Sequence, residues 1–319
     1  ILMLAQFGGL GYMTFTTFLI MLTGRRFDLR HKIAIQQALD RREMQGSGQI
    51  IRSIIATTLF FEITGIFLLL PVFVPDFGWD KGMWLAIFHS IRAWNNAGFS
   101  LFSNSLVDYQ SSALLVFTIS GLILFGGIGY QVILEMFFWL RDRLRRRPQN
   151  IVLSLDYKVA ISTTSFLLFV GTLAFFFVEI KNYQTLRNLN FGSQLLAALF
   201  QSVTTRTAGF NSIDIGSMTT AGLFITIAFM FIGASPGGTG GGMKTTTLRV
   251  LSSCTKSILQ GKEEVLLYER SIPLTLILKA VGVVVGSVTA VISCTILISL
   301  TDPGIDFIKI FFEVISAYA

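Results

Sequence analysis

The chain has 319 residues, 52% hydrophobic and only 13% charged, with a mean hydropathy of +0.67. A water-soluble domain carries about a quarter charged residues, so this apolar surplus calls for a bilayer and excludes an ordinary soluble enzyme. Two cysteines without CxxC spacing (Cys254, Cys294) and two distant histidines (His31, His89) offer neither a disulfide framework nor a recognisable metal site.

In chain order, the first apolar stretch covers 1–22 and begins with Ile1. It has no basic leader and no small-residue cleavage site, so it reads as a true span with a truncated start rather than a signal peptide. It contains Phe7-Gly8-Gly9-Leu10-Gly11-Tyr12. A basic connection at 25–52 follows, then a long apolar helix at 51–74 and a short polar stretch at 75–80. The apolar segment at 83–94 is too short to cross a bilayer, which takes about 20 residues, and reads as re-entrant. It ends in Asn95-Asn96-Ala97-Gly98-Phe99. A long apolar stretch at 112–140 returns to a second basic connection at 141–158 and carries Phe125-Gly126-Gly127-Ile128-Gly129-Tyr130.

The same order then recurs. A long apolar helix is expected at 158–180, a polar stretch at 181–190, and a short segment at 193–204 ending in Thr205-Arg206-Thr207-Ala208-Gly209-Phe210. The two FGGxGY strings are offset by 118 residues and the two Ala-Gly-Phe strings by 111, so one unit of helix, half-helix, loop and helix repeats. An apolar run from about 219 breaks at 233–243 and resumes as a helix near Thr245. Beyond a third basic connection at 244–279 come a long helix at 272–300 and another short segment at 306–319. The units divide as 1–50 (second helix of repeat 1 and a cytoplasmic loop), 51–150 (repeat 2), 151–270 (repeat 3, with a broken second helix) and 271–319 (start of repeat 4).

Charge supports that topology. Of the 25 Lys and Arg residues, seven lie in 25–52, six in 141–158 and six in 244–279. Treating the short segments as re-entrant puts all three basic connections on one face, which the positive-inside rule makes cytoplasmic. The charge of +7 is thereby explained without nucleic acid.

The chemistry sits in the loops. A half-helix ending inside the membrane presents about half a negative charge at its C-terminus, and extended carbonyls beyond it can replace a cation's hydration shell. Asn96, Ala97, Gly98 and Phe99, with Thr207, Ala208, Gly209 and Phe210, are the expected ion-binding filter. Gly98 and Gly209 supply backbone freedom, and small Ala97 and Ala208 allow close approach. Phe99 and Phe210 are expected to point outward and wedge the loops. Asn95, Asn96, Thr205 and Thr207 are expected to donate hydrogen bonds that hold the loops open. No acid lies in either string, so dipoles rather than full charges should coordinate. Arg92 and Arg206 should point behind the loops onto carbonyls. Ala-Gly-Phe alone is a common tripeptide; its recurrence after a half-length apolar segment is what singles it out.

Gly233, Ser235, Pro236, Gly237, Gly238, Thr239, Gly240, Gly241, Gly242 and Lys244 form the break in the last unit. Six glycines and a proline in ten residues cannot hold a helix, so the favoured reading is a mobile gate below the filter. A P-loop is the weaker reading, because Met243 stands where its lysine is required and no strand precedes it. A plain flexible break is the third.

On these strings the chain resembles the Trk/Ktr/HKT superfamily of potassium transporters, most of all its bacterial KtrB type. The Asn95 to Ser100 string is similar to the second filter, the Thr205 to Asn211 string to the third, and the Ser235 to Thr247 string to the intramembrane gating loop. The resemblance implies four repeats in a pseudo-fourfold arrangement around one pore, K⁺ (with Na⁺ dependence in the Ktr branch) as the ion, and no enzymatic activity. It also implies a homodimer in the cell membrane. A cytoplasmic ring of nucleotide-binding regulatory subunits of the KtrA/TrkA kind would meet 25–50 and 141–158. The first filter and the end of the fourth would then lie outside 1–319. The rival class, a secondary transporter with discontinuous helices, places helix N-termini at its substrate; here the half-helices end at the glycine loops.

Overall fold

The computed structural model describes residues 2–10, 47–145, 153–262 and 264–319. The expected continuation of the first span through Tyr12 to residue 22, the basic connection up to residue 46, and residues 146–152 of the second connection lie outside the described residues.

Helix α1 (Leu2–Leu10) leads to the first complete unit: α2 (Ser47–Phe77), α3 (Trp79–Trp94), α4 (Ala113–Ile128) and α5 (Tyr130–Leu144). The second comprises α6 (Leu155–Glu179), α7 (Phe191–Thr204), α8 (Thr220–Phe231) and α9 (Thr245–Leu259). A hairpin of β1 (Leu266–Leu267) and β2 (Arg270–Ser271) precedes α10 (Leu274–Thr301) and α11 (Phe307–Tyr318). Among the described residues α2, α6 and α10 are long and apolar enough to cross a membrane, and α4 with α5 passes the same test as a bent pair.

The polar turn expected at 75–80 shrinks to one residue. Helix α2 runs through Pro71 and Pro75, because proline's fixed φ is helical and the second stands in the last turn. Gly78 at φ 77° then reverses the chain into α3. Gly82 lets the two helices touch, since a Cβ there would stand 2.8 Å from Val74 Cα.

A larger correction falls on 112–140, which is not one straight span. Helices α4 and α5 meet at 104° across Gly129, whose φ of 98° and ψ of 136° belong to glycine's own region. Three helix starts, those of α6, α7 and α8, carry side-chain caps. Ser154, Asn190 and Thr219 accept hydrogen bonds from the backbone N–H groups of Tyr157, Ser193 and Gly222. Buried Glu179 at the end of α6 accepts from Asn182, Thr185 and both the backbone and hydroxyl of Thr219, which ties α6 to the start of α8.

The main core lies between α2, α3, α4 and α7, with Phe73, Trp94, Ile119, Phe200 and Phe210 at its centre. A second cluster around Phe175, Ala197 and Ile213 anchors α6 to α7, and a third joins α8 and α10 to α11 through Ile227, Val291 and Val314. Side chains facing away from these clusters, such as Phe67, Phe169, Phe177, Leu278 and Ile296, are exposed and apolar, as a lipid-facing surface requires. The hairpin is the one two-stranded sheet among the described residues. Its turn places Tyr268 and Glu269 at φ 50° and 64°, and the Tyr268 hydroxyl donates to Ser162 on α6 at 2.7 Å.

Candidate functional site

Helices α3 and α7 point their C-terminal ends at one place. Beyond α3 the chain coils through Asn95 and Asn96, whose N–H groups still reach Ile91 and Ala93, and Ala97 N–H bonds the Arg92 carbonyl. Beyond α7, the N–H groups of both Ala208 and Gly209 reach the Thr204 carbonyl. The left-handed residues are Asn96 at φ 49° and Thr207 at φ 69°, the matching positions of the two strings, together with Gly209 at φ 81°. The backbone freedom expected of Gly98 therefore lies two residues earlier. For threonine it is an outlier that the surrounding packing must impose.

Gly98 is required for a different reason. A Cβ on it would collide with the Gly209 backbone and the Ala208 carbonyl, and one on Gly209 would lie 3.3 Å from Gly98 Cα. The two loops thus meet backbone to backbone. Among the described residues no hydrogen bond is donated to the carbonyls of Asn96, Gly98, Thr207 or Gly209. All four residues, with Ala97, Phe99 and Ala208, line a cavity of about 770 Å³.

Phe210 and Phe99 part ways. Phe210 is fully buried, its ring 6.1 Å from that of His89, a burial worth about 1.5–3 kcal/mol. Phe99 is 68% exposed and does not wedge the loop; the Arg92 guanidinium lies 4.3 Å from its ring centre. Arg92 thus packs on a ring rather than on carbonyls. Arg206 does reach a carbonyl, that of Gly233, at 3.3 Å. Asn95 holds the loop from behind, donating to Gln6 on α1 at 3.0 Å and to the buried Glu62 carboxylate on α2 at 3.2 Å.

The glycine-rich segment forms no helix between Phe231 and Thr245, and it is docked rather than loose. Ile232 and Met243 pair as a β-bridge, and the N–H groups of Ser235 and Thr239 donate to the Gly127 and Gly126 carbonyls at the end of α4. Gly238 lies directly on that pair of carbonyls. Asn96 Nδ2 donates to the Thr239 hydroxyl, which donates to the Trp94 carbonyl, both at 3.0 Å. Lys244 Nζ turns back onto the Gly240 carbonyl at 2.7 Å, Ser235 and Thr245 join their hydroxyls at 2.8 Å, and Pro236 lies against Gly129. Gly241 reaches the cavity wall, and Gly242 at φ 65° closes the loop.

One wall comes from the short segment read at 306–319, of which no residue was named for the site in the sequence. Lys309, Phe312, Glu313 and Ser316 of α11 face the same cavity, and Ala319 lies against Gly241. Their spacing of three and four marks one helical face. A carboxylate therefore stands beside the loops, although neither loop string contains one.

Half-helices that end on one cavity, among helices of bilayer length, define a polytopic membrane protein built to receive a cation. The TrkH family, described as cation transport protein, matches residues 2–319, and the chain belongs to it, a family of membrane cation transporters rather than enzymes. The chain is 37% identical over 316 residues to the Ktr system potassium uptake protein B of Vibrio alginolyticus, covering 99% of this chain and 68% of that protein. It is 34% identical to the protein of that name from Bacillus subtilis, over 99% of this chain and 69% of the relative. It is also 34% identical to the potassium/sodium uptake protein NtpJ of Enterococcus hirae, over 100% of this chain and 69% of that one. The crystal structure of the potassium transporter TrkH from Vibrio parahaemolyticus shares the fold, with a TM-score of 0.72 at 18% identity over 98% of this chain; the chain spans 61% of the TrkH chain.

Proposed function

We propose that the chain supplies part of the pore of a potassium uptake system. K⁺ is dehydrated at the loops of Asn96 to Phe99 and Thr207 to Phe210, and the segment at 233–244 controls its passage. The observation that carries this reading is the backbone contact of Gly98 with Gly209 at the ends of two half-helices, beside carbonyls that accept no hydrogen bond among the described residues. Two helix C-termini at one point favour a cation, and carbonyls without donors can take the place of its water. Docking of the glycine-rich loop on Trp94, Asn96, Gly126 and Gly127 supports its role as a gate that leaves and regains this seat.

Sodium dependence fits the likeness to the potassium/sodium uptake protein of Enterococcus hirae. In this reading the repeats divide at 1–50, 51–150, 151–270 and 271–319 and stand in pseudo-fourfold order. Two copies pair in the cell membrane with the basic connections in the cytoplasm, where nucleotide-binding regulatory subunits of the KtrA kind act on them. The test is rubidium uptake by the Gly209→Asp variant of the full protein in a host deficient in potassium uptake. A side chain at φ 81° in the loop contact should abolish uptake or K⁺ selectivity while the protein still reaches the membrane. Unchanged uptake and selectivity would sink the filter assignment.

A further inference from the structure

A second cavity, of about 450 Å³, lies between α9 and the hairpin, away from the filter loops. Arg249, Ser252, Ser253, Lys256 and Ser257 recur at helical spacing along the face of α9 that lines it, and Lys262 closes one side. Three cations and three hydroxyls thus converge, and the Arg249 guanidinium also stands 5.9 Å from the ring of Tyr268. Among the described residues none of the three cations makes an ion pair. Of the carboxylates in the same stretch, Glu264 and Glu269 do not line the cavity, and Glu263 lies outside the described residues. Like charges gathered on one cavity repel one another, and a phosphate with its acceptor oxygens relieves this.

The surroundings choose the source of that phosphate. Leu267 also lines a neighbouring cavity of about 230 Å³, walled mainly by Val159, Val250, Ile272, Leu276 and Val283, with Asp156, Thr246, Thr247 and Lys279 also on its lining, and reaching Pro236 of the glycine-rich loop. Ile258 and Leu259, on the last turn of α9, are 69% and 82% exposed. Along α9, Lys256 stands about 17 Å beyond Thr245, close to the half-thickness of the hydrocarbon layer. Cations at headgroup depth beside an apolar groove match an anionic phospholipid better than a free ion.

We infer that the cavity of Arg249, Lys256 and Lys262 binds the headgroup of an anionic phospholipid, with an acyl chain along Leu267 and Val250. Native mass spectrometry of the full protein in detergent tests this, with phosphatidylglycerol, phosphatidylcholine or inorganic phosphate added. Phosphatidylglycerol should be retained over phosphatidylcholine, and phosphate should not displace it. Each cation near an anionic surface is worth roughly fivefold in binding, so Arg249→Gln with Lys256→Gln should weaken retention about 25-fold. Lys81→Gln, at the start of α3, should leave it unchanged. Equal retention of the two lipids, full retention by the double variant, or displacement by phosphate would each overturn the assignment. Rubidium flux does not enter the readout, so the outcome is independent of the filter reading.

Discussion

Thr239 links the glycine-rich loop to the loop of Asn96 to Phe99 through a single hydroxyl, taking a bond from Asn96 and giving one to the Trp94 carbonyl. A neutral hydrogen bond contributes about 1 kcal/mol net, so Thr239→Val should loosen the docked loop by roughly fivefold. Basal rubidium flux through the full protein should rise by about that factor with selectivity retained; unchanged basal flux would remove Thr239 as a latch. Part of this scale was legible in the sequence. The Ala-Gly-Phe strings and the glycine-rich break stand out by recurrence and composition. The conformational roles inside the strings did not, because left-handed φ at Asn96 and Thr207 is imposed by the meeting of two loops distant in sequence. The asymmetry of Phe99 and Phe210 has the same origin: identical strings meet different neighbours, Arg92 in one case and the α2, α3 and α7 core in the other.

At the scale of elements, the lengths of α2, α6 and α10 follow from their apolar runs, and the half-helices α3 and α7 from runs too short to span. The bend between α4 and α5 was hidden because the apolar run is continuous through it. Its cause is tertiary, since the Gly126 and Gly127 carbonyls and the turn at Gly129 form the seat of the glycine-rich loop. The FGGxGY string was legible as a repeat, but nothing in it says that a helix breaks there to receive another segment. Gly129→Ala should therefore destabilise the protein by about 1–3 kcal/mol, since φ 98° is strained for alanine and its Cβ would lie 2.5 Å from the Pro236 carbonyl. Gly121→Ala, on the same helix with nothing within 4 Å, should be neutral or stabilising. Thermal unfolding of both variants in detergent compares them directly; equal melting temperatures would contradict the seat. The hairpin at 266–271 left no sequence signal, because its turn uses Tyr268 and Glu269 where glycine or asparagine is usual.

At the scale of the molecule, two repeat units and the short helix α11 gather around one cavity, and the loop that interrupts the second unit forms part of its wall. The order of helix, half-helix, loop and helix was readable from apolar run lengths and the spacing of basic connections, which together place the glycine loops at membrane depth. The segment at 306–319 was readable as a further half-helix of the repeat, but which of its residues face the cavity was not, since that depends on its packing against α8 and α10. Its arrival brings Glu313 and Ser316 to the cavity and gives the two Ala-Gly-Phe loops a third facing element. The central claim is that a cation sits where Gly98 meets Gly209. Crystals of the full protein grown in rubidium test it by anomalous scattering. The account predicts a rubidium peak in the cavity beside the Asn96, Gly98, Thr207 and Gly209 carbonyls, lost in Gly209→Asp. A protein that transports rubidium yet shows no peak there would contradict it.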